Sequence, residues 1–220
     1  MIPNHVKAIL EKMKDSKYPE LNFEFAFKLT NESERGAILI GASKIEDYLQ
    51  KLIECILPSS DKKYKERLFN YPGPLSSFSG KIELMYAFRI IDKKVYDSLN
   101  ILRQIRNDAA HTSELFSLQA KKEKLEKIYN FEEHFPEVIH KLAYDKMMDW
   151  KKGKAKEGLS DPKFADLDFE EIWKEVVPNP DQHETIQEHL TIWKLAFGLT
   201  FLCLKLEVIS EEFQEKFKSI

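Results

Sequence analysis

One short stretch of the chain, Arg103 to His111, carries the residue types best suited to catalysis. Arg103, Asn107 and His111 follow one another at four-residue steps, which places them on one stripe of a helix, and Arg106 flanks that stripe. A histidine exchanges protons near neutral pH, and an arginine binds a phosphate through two N–H groups. An asparagine can orient either partner. These side chains suit cleavage of RNA by its own 2′-hydroxyl group, a reaction that needs no metal ion.

The same residues also have a structural interpretation. In it, Arg106 and Asn107 form a buried polar network with an acidic residue such as Glu46, while His111 caps the C-terminal end of the helix. The spacing is compatible with both interpretations. Because one helix supplies few groups for in-line phosphoryl transfer, the catalytic interpretation predicts a dimer that brings two such helices together.

The periodicity of apolar residues predicts the helices that position this stretch. Ser33 is expected to cap a helix that Pro58 ends, a second helix is predicted over about Ser79–Ile91, and Asp92 is expected to cap a third. The third helix carries the candidate site, and its apolar stripe consists of Val95, Leu99, Leu102, Ile105 and Ala109. A helix with this pattern packs through one side and presents polar groups on the next.

The rest of the chain has helical patterns as well. Charged amphipathic helices are predicted over about Gln119–Tyr129 and Phe135–Trp150, and the Lys151–Lys156 cluster is expected to end the second of them. Further helices are predicted over residues 1–15, 169–177 and 182–206, and in a short charged tail.

The fold class that follows is all-α, with a single domain over residues 1–220 in which a helical insertion at about 117–180 precedes the long closing helix. Only 7 of the 220 residues are glycine, which argues against Gly-rich phosphate loops and turn-dense β architectures. The formal net charge of -3 argues against nucleic-acid binding by bulk charge, so RNA would have to bind at an active site or a local patch. The Lys151–Lys156 cluster is the one local basic patch predicted.

The placement of cysteine and histidine predicts neither a metal nor another cofactor. Cys55 and Cys203 lie in apolar helical runs and are expected to be free and buried. Neither of the two histidine pairs has a spacing that puts both side chains on one helix face. These pairs are His134 with His140 and His183 with His189. The longest apolar run, Leu195–Leu204, is too short to span a bilayer, and we expect a cytoplasmic protein without a membrane partner.

Several uncommon sequence words occur in order over about residues 30–118. They are Arg35-Gly36-Ala37, Ile45-Glu46-Asp47-Tyr48-Leu49, Gly73 to Ile82, and Arg103-Gln104-Ile105-Arg106-Asn107 with Ala110-His111. In this order they closely resemble the mannitol operon repressor family. The resemblance implies a helical core over these residues and a non-enzymatic role, in transcriptional regulation or in binding a regulatory protein partner.

The element from Arg106 to His111 also resembles the arginine-to-histidine signature of the HEPN superfamily, whose members are small helical bundles. That resemblance implies a homodimeric, metal-independent endoribonuclease of toxin, defence or RNA-processing systems, which leaves 2′,3′-cyclic phosphates on its products. The candidate residues are catalytic Arg106, His111 and Asn107, substrate-binding Arg103, and supporting Glu46 and Asp108. Because the arginine and histidine are both present and no helix-turn-helix pattern is recognisable, the nuclease is favoured over the regulator.

Overall fold

The computed structural model describes residues 23–57, 61–158, 168, 169, 173 and 184–218. Within these residues the chain is helical and contains no strand, which confirms the all-α class. The helices are α1 (Phe23–Thr30), α2 (Glu34–Ile56), α3 (Lys62–Phe69), α4 (Phe78–Ala87), α5 (Lys93–His111), α6 (Lys122–Ile128), α7 (Phe135–Gly158) and α8 (Glu184–Lys218). Single 3-10 turns at Gln119–Lys121 and Tyr129–Phe131 flank α6.

The two predicted N-caps, Ser33 and Asp92, are both present. The Ser33 side chain accepts a hydrogen bond from the Gly36 amide at 3.0 Å and starts α2. The Asp92 carboxylate accepts one from the Val95 amide at 2.9 Å and starts α5. Each cap satisfies a backbone donor that the helix itself leaves unpaired, an interaction typically worth about 1 kcal/mol. These caps fix where the two helices that frame the candidate site begin.

Helix α8 forms the centre of the bundle. It packs against α1, α2 and α7, while α5 packs against α2, α4 and α6 on the other side of α2. Residues 195–204 of α8 are all buried. Because consecutive helical residues point in different directions, such a run is buried only when other elements surround the helix on every side. The core therefore lies along α8, and α5 lies in the layer next to it.

The segment predicted as an insertion contributes directly to this core. The buried side chains from α6, the following 3-10 turn and α7 are Leu125, Ile128, Tyr129, Phe131, Phe135, Ile139, Ala143 and Met147. The ring of Phe135 meets that of Phe201 edge-on, with 5.3 Å between their centroids. Residues 118–147 therefore help to build the core that holds α8, and do not merely cover it.

Several predicted helix boundaries are wrong. Helix α7 continues through the lysine cluster to Gly158, because lysine is a good helix former and Gly153 costs only about 1 kcal/mol in a helix. The final helix runs without a break to Lys218, so the predicted tail is not a separate helix. Helix α4 ends at Ala87, and Arg89 follows in a left-handed turn with φ 57°.

Two helices, α1 and α3, were not predicted from the sequence. Only Phe69 of α3 is buried, so the sequence of this helix has no apolar stripe from which it could be predicted. Three predictions concern residues outside those that the structure describes: the helix over 1–15, the stop at Pro58, and most of the helix over 169–177. Among the described helices, none combines the length and apolar character needed to cross a bilayer.

The contact between Gly198 and Tyr129 gives a first testable prediction. A Cβ atom at Gly198 would lie 2.4 Å from Cε1 of the buried Tyr129 ring. We expect Gly198→Ala to lower the free energy of unfolding by about 2 kcal/mol, because overpacking outweighs the gain in helix propensity. Urea denaturation measures the effect. Gly153→Ala is the control, since nothing lies within 4 Å of that position, and we expect it to stabilise the protein. A Gly198→Ala protein as stable as wild type would contradict this packing.

Candidate functional site

Five of the six candidate residues occupy the C-terminal half of α5, and the sixth, Glu46, lies on α2. The predicted apolar stripe of this helix is buried, from Val95 to Ala109. Arg103, Arg106 and Asn107 are half-buried beside it, and His111 is exposed as the last residue of the helix. The sequence prediction of a helix that packs through one side and presents these polar groups on the next is confirmed.

The two arginines of the site are bonded to amide side chains. Arg106 donates from Nη1 to Oδ1 of Asn107 at 3.3 Å, and Arg103 donates from Nε to Oδ1 of Asn100 at 3.3 Å. Within the described residues, neither guanidinium group pairs with a carboxylate. An amide neutralises no charge and uses one of the five N–H donors of an arginine. Both arginines therefore keep a full positive charge and donors for an anion.

Glu46 has a different partner from the one predicted. The Lys81 side chain from α4 donates from Nζ to Oε1 of Glu46 on α2 at 2.6 Å. Only 4% of the Lys81 side chain and 22% of the Glu46 side chain are exposed. The charge of Glu46 is therefore compensated by a buried lysine, whereas Arg106 bonds to Asn107. The predicted network of Arg106 and Asn107 with Glu46 is replaced by these two separate interactions.

Asp108 connects α5 to the next segment of the chain. It accepts a hydrogen bond from Nζ of Lys121 at 2.7 Å. This hydrogen bond, helped by the charge of Lys121, lowers the pKa of Asp108 and outweighs the small effect of burial. Asp108 is therefore an ionised carboxylate held by a lysine, which fits a supporting role and not that of a proton donor.

The backbone that follows His111 is held by the first turn of α2. Arg35 donates from Nη1 to the Thr112 carbonyl at 3.1 Å and from Nη2 to the Glu114 carbonyl at 2.7 Å. The Leu118 amide donates to Oε2 of Glu34 at 2.9 Å. We call this set the α2 clamp. It fixes the path of a segment without regular structure, and with it the end of α5.

His111 itself is exposed and does not serve as the cap. The helix ends at His111, and the cap is the next residue, Thr112, whose amide donates to the Asp108 carbonyl at 3.0 Å. The His111 imidazole makes no hydrogen bond or ion pair with any described residue. The predicted capping role is therefore not supported by the hydrogen bonds, and both ring nitrogens are available to a ligand.

Arg106 and His111 point in different directions on a single chain. Residues five apart in an α-helix differ by about 140° around the axis and by about 7.5 Å along it. A straight α5 therefore cannot aim both side chains at one phosphorus atom from the same side. Asn107 and Arg103 lie between the two directions, on the half-exposed surface of α5.

Sequence reasoning missed three residues that position the site. Arg35 holds the segment after His111, Lys81 compensates Glu46, and Lys121 holds Asp108. None of these three residues lies at helical spacing from its partner, so no local sequence pattern predicts these contacts. Arg35 and Lys81 do fall within the sequence words that carry the family resemblance, which was the only available signal.

Other predicted features lie away from α5. Both cysteines are free, as predicted, and Cys203 is buried. The predicted burial of Cys55 is wrong, because this residue is exposed and accepts a hydrogen bond from Nε2 of Gln214 at 3.0 Å. In the lysine cluster, Lys154 pairs with Glu157 at 2.7 Å and Lys151 lies 3.0 Å from Nδ1 of His189. Part of this basic patch is therefore occupied by internal partners. Across the described residues, no group of three or more histidine, cysteine or acidic side chains is placed to hold a metal ion.

The comparisons with known proteins identify no relative of this chain. No protein family, curated protein or solved structure matches the chain. The resemblances to the mannitol operon repressor family and to the HEPN superfamily therefore stay predictions. The function has to be argued from α5 and its surroundings.

Proposed function

We propose that the C-terminal half of α5 binds an RNA phosphate and that the chain is a metal-independent endoribonuclease. One observation carries the proposal: two arginines without a carboxylate partner in the described part of the chain lie on the same helix as an exposed histidine. In contrast, the lysines that support this region, Lys81 and Lys121, both pair with carboxylates. A cation without a counter-charge and a proton-transfer group are the two kinds of group that phosphodiester cleavage without a metal ion uses.

The proposed reaction uses only groups of the RNA and of the protein. His111 takes the proton from the 2′-hydroxyl, and the 2′-oxygen forms a bond to phosphorus as the bond to the 5′-oxygen breaks. The departing 5′-oxygen takes up a proton, which leaves a 2′,3′-cyclic phosphate on one product and a 5′-hydroxyl on the other. Arg106 stabilises the charge of the pentacovalent phosphorane. Asn107 orients the substrate or the imidazole, and Arg103 contacts a neighbouring phosphate.

The proposal includes a homodimer. One α5 separates Arg106 and His111 by about 140°, so a second copy is needed to surround a phosphate with both groups. A second His111 also supplies the acid that protonates the 5′-oxygen while the first acts as base. The half-exposed surface of α5 that carries Arg103 and Asn107 is the face we assign to this contact.

Cleavage of labelled single-stranded and hairpin RNAs in EDTA tests the nuclease directly. We expect cleavage, with product ends that mass spectrometry identifies as 2′,3′-cyclic phosphate and 5′-hydroxyl. A single 2′-deoxynucleotide at the cleaved position should abolish the cut, because it removes the nucleophile. Products with 3′-hydroxyl ends, or no cleavage of any RNA in the set, would contradict the proposal.

A regulatory protein of the mannitol operon repressor type is the second candidate. The hydrogen bond between Arg106 and Asn107 favours it, because a motif that satisfies itself within one helix can be purely structural. This candidate predicts no cleavage of RNA and a loss of stability when Arg106 is replaced. Circular dichroism of the Arg106→Ala protein separates the two candidates.

A further inference from the structure

A second basic surface is formed by α3 and the loop that follows it. Four of the eight residues of α3 are basic and one is acidic. A groove of about 730 Å³ runs between this helix and the loop over residues 70–74. Lys63, Glu66, Arg67 and Tyr71 line it. This local charge stands out in a protein whose net charge is -3.

The two basic residues that line the groove are available to an anion. Lys65 is paired with Glu54 at 3.0 Å, and Lys62 lies 3.9 Å from Glu66. Lys63 and Arg67 have no carboxylate partner among the described residues. They are four residues apart, so they project from the same face of α3.

Tyr71 is displayed at the end of this groove by a tightly bonded loop. Tyr71 is 92% exposed, and among the large apolar residues of the described chain only Leu115 is more exposed. The Gly73 amide donates to the Asn70 carbonyl at 2.6 Å, and the Leu75 amide donates to the Leu68 carbonyl at 2.9 Å. A Cβ atom at Gly73 would lie 2.3 Å from the Arg67 carbonyl, so the loop packs closely against the end of α3. These contacts fix the backbone that carries Tyr71, and its ring projects into solvent.

We propose that the groove of Lys63, Arg67 and Tyr71 binds single-stranded RNA. Grooves that bind single strands combine cations along the backbone with an aromatic ring on which a base stacks. Lys63 and Arg67 would contact successive phosphates, and Tyr71 would stack on the adjoining base. An acidic peptide would satisfy the two cations but would leave the ring of Tyr71 without a planar partner. This site does not depend on the nuclease proposed for α5.

Fluorescence anisotropy with a fluorescein-labelled 2′-O-methyl oligouridine tests the site, since this RNA cannot be cleaved by 2′-hydroxyl attack. We expect Tyr71→Ala to weaken binding about tenfold and Tyr71→Phe to bind like wild type, because a phenyl ring also stacks. The double variant Lys63→Ala with Arg67→Ala should lower the slope of log Kd against log salt concentration by about 1.4. This is the contribution of two phosphates of a single strand.

The control is Arg89→Ala, which removes an exposed arginine from the connection between α4 and α5. An equal loss of affinity in this control, or in Tyr71→Phe, would overturn the proposed groove. Absence of RNA binding would overturn it as well, as would binding of polyglutamate through the same residues at equal affinity. The substitutions at Lys63, Arg67 and Tyr71 distinguish the two sites, because they change only α3 and the loop that follows it and leave every candidate residue of α5 in place.

Discussion

His111→Ala is expected to lower the rate of RNA cleavage in EDTA by about 10²–10⁴-fold while the protein stays folded. The size of the loss reflects removal of the proton-transfer group. Stability should be unchanged, because the imidazole is exposed and bonds to no described residue. His140→Ala is the matched control, since His140 is an exposed histidine on α7. Single-turnover cleavage rates and urea denaturation give the two readouts.

Arg106 should behave differently from His111 when it is replaced. We expect Arg106→Ala to lower the rate by about 10²–10³-fold, because the phosphorane loses its counter-charge. Arg106→Lys should recover only part of the rate, since a lysine keeps the charge but lacks the planar pair of donors. If His111→Ala cleaves RNA as fast as wild type, the proposed chemistry is wrong. Unfolding of Arg106→Ala in a chain that never cleaves RNA would favour the regulator.

The second large effect is a loss of stability, which we expect when the buried ion pair of Lys81 and Glu46 is broken. Glu46→Gln leaves the ammonium group of Lys81, only 4% exposed, without an anion. We expect this substitution to lower the free energy of unfolding by about 3 kcal/mol, the cost of breaking a buried ion pair from one side. Replacing both residues, Glu46→Gln with Lys81→Met, should return stability to within about 1 kcal/mol of wild type. A double-mutant cycle by urea denaturation measures the coupling.

The double variant also separates two roles for Glu46. If Glu46 only compensates Lys81, the stable double variant should cleave RNA at the wild-type rate. Loss of cleavage in a stable double variant would instead assign Glu46 a supporting role in the reaction. A cost of less than about 1 kcal/mol for Glu46→Gln alone would contradict the importance of the pair for stability.

The helices that frame the site were predictable because their signals are local. Ser33 and Asp92 are strong N-cap residues that directly precede apolar stripes, and both cap as expected. The polar residues on α5 follow from the same periodicity. Helix α3 gave no such signal, because it buries one residue and owes its position to its neighbours. The end of α7 was misplaced because a glycine and a run of lysines weaken a helix without ending it.

The partners of the site residues were not predictable in the same way. Glu46 and Lys81 meet because α2 packs against α4, and Arg35 reaches Thr112 because α2 and α5 lie side by side. Such contacts join residues far apart in sequence, so they depend on the assembled bundle. Residue types and spacing could therefore nominate Arg106 and His111, but not the side chains that fix their surroundings.

The α2 clamp links the candidate site to local unfolding. Leu118 lies in a segment without regular structure, yet its amide bonds to Glu34 in the first turn of α2, so opening of that turn exposes this amide to exchange with solvent. The same opening releases the two carbonyl groups that Arg35 holds directly after His111. The segment directly after α5 is therefore tied to the stability of a single helical turn more than 75 residues away in sequence.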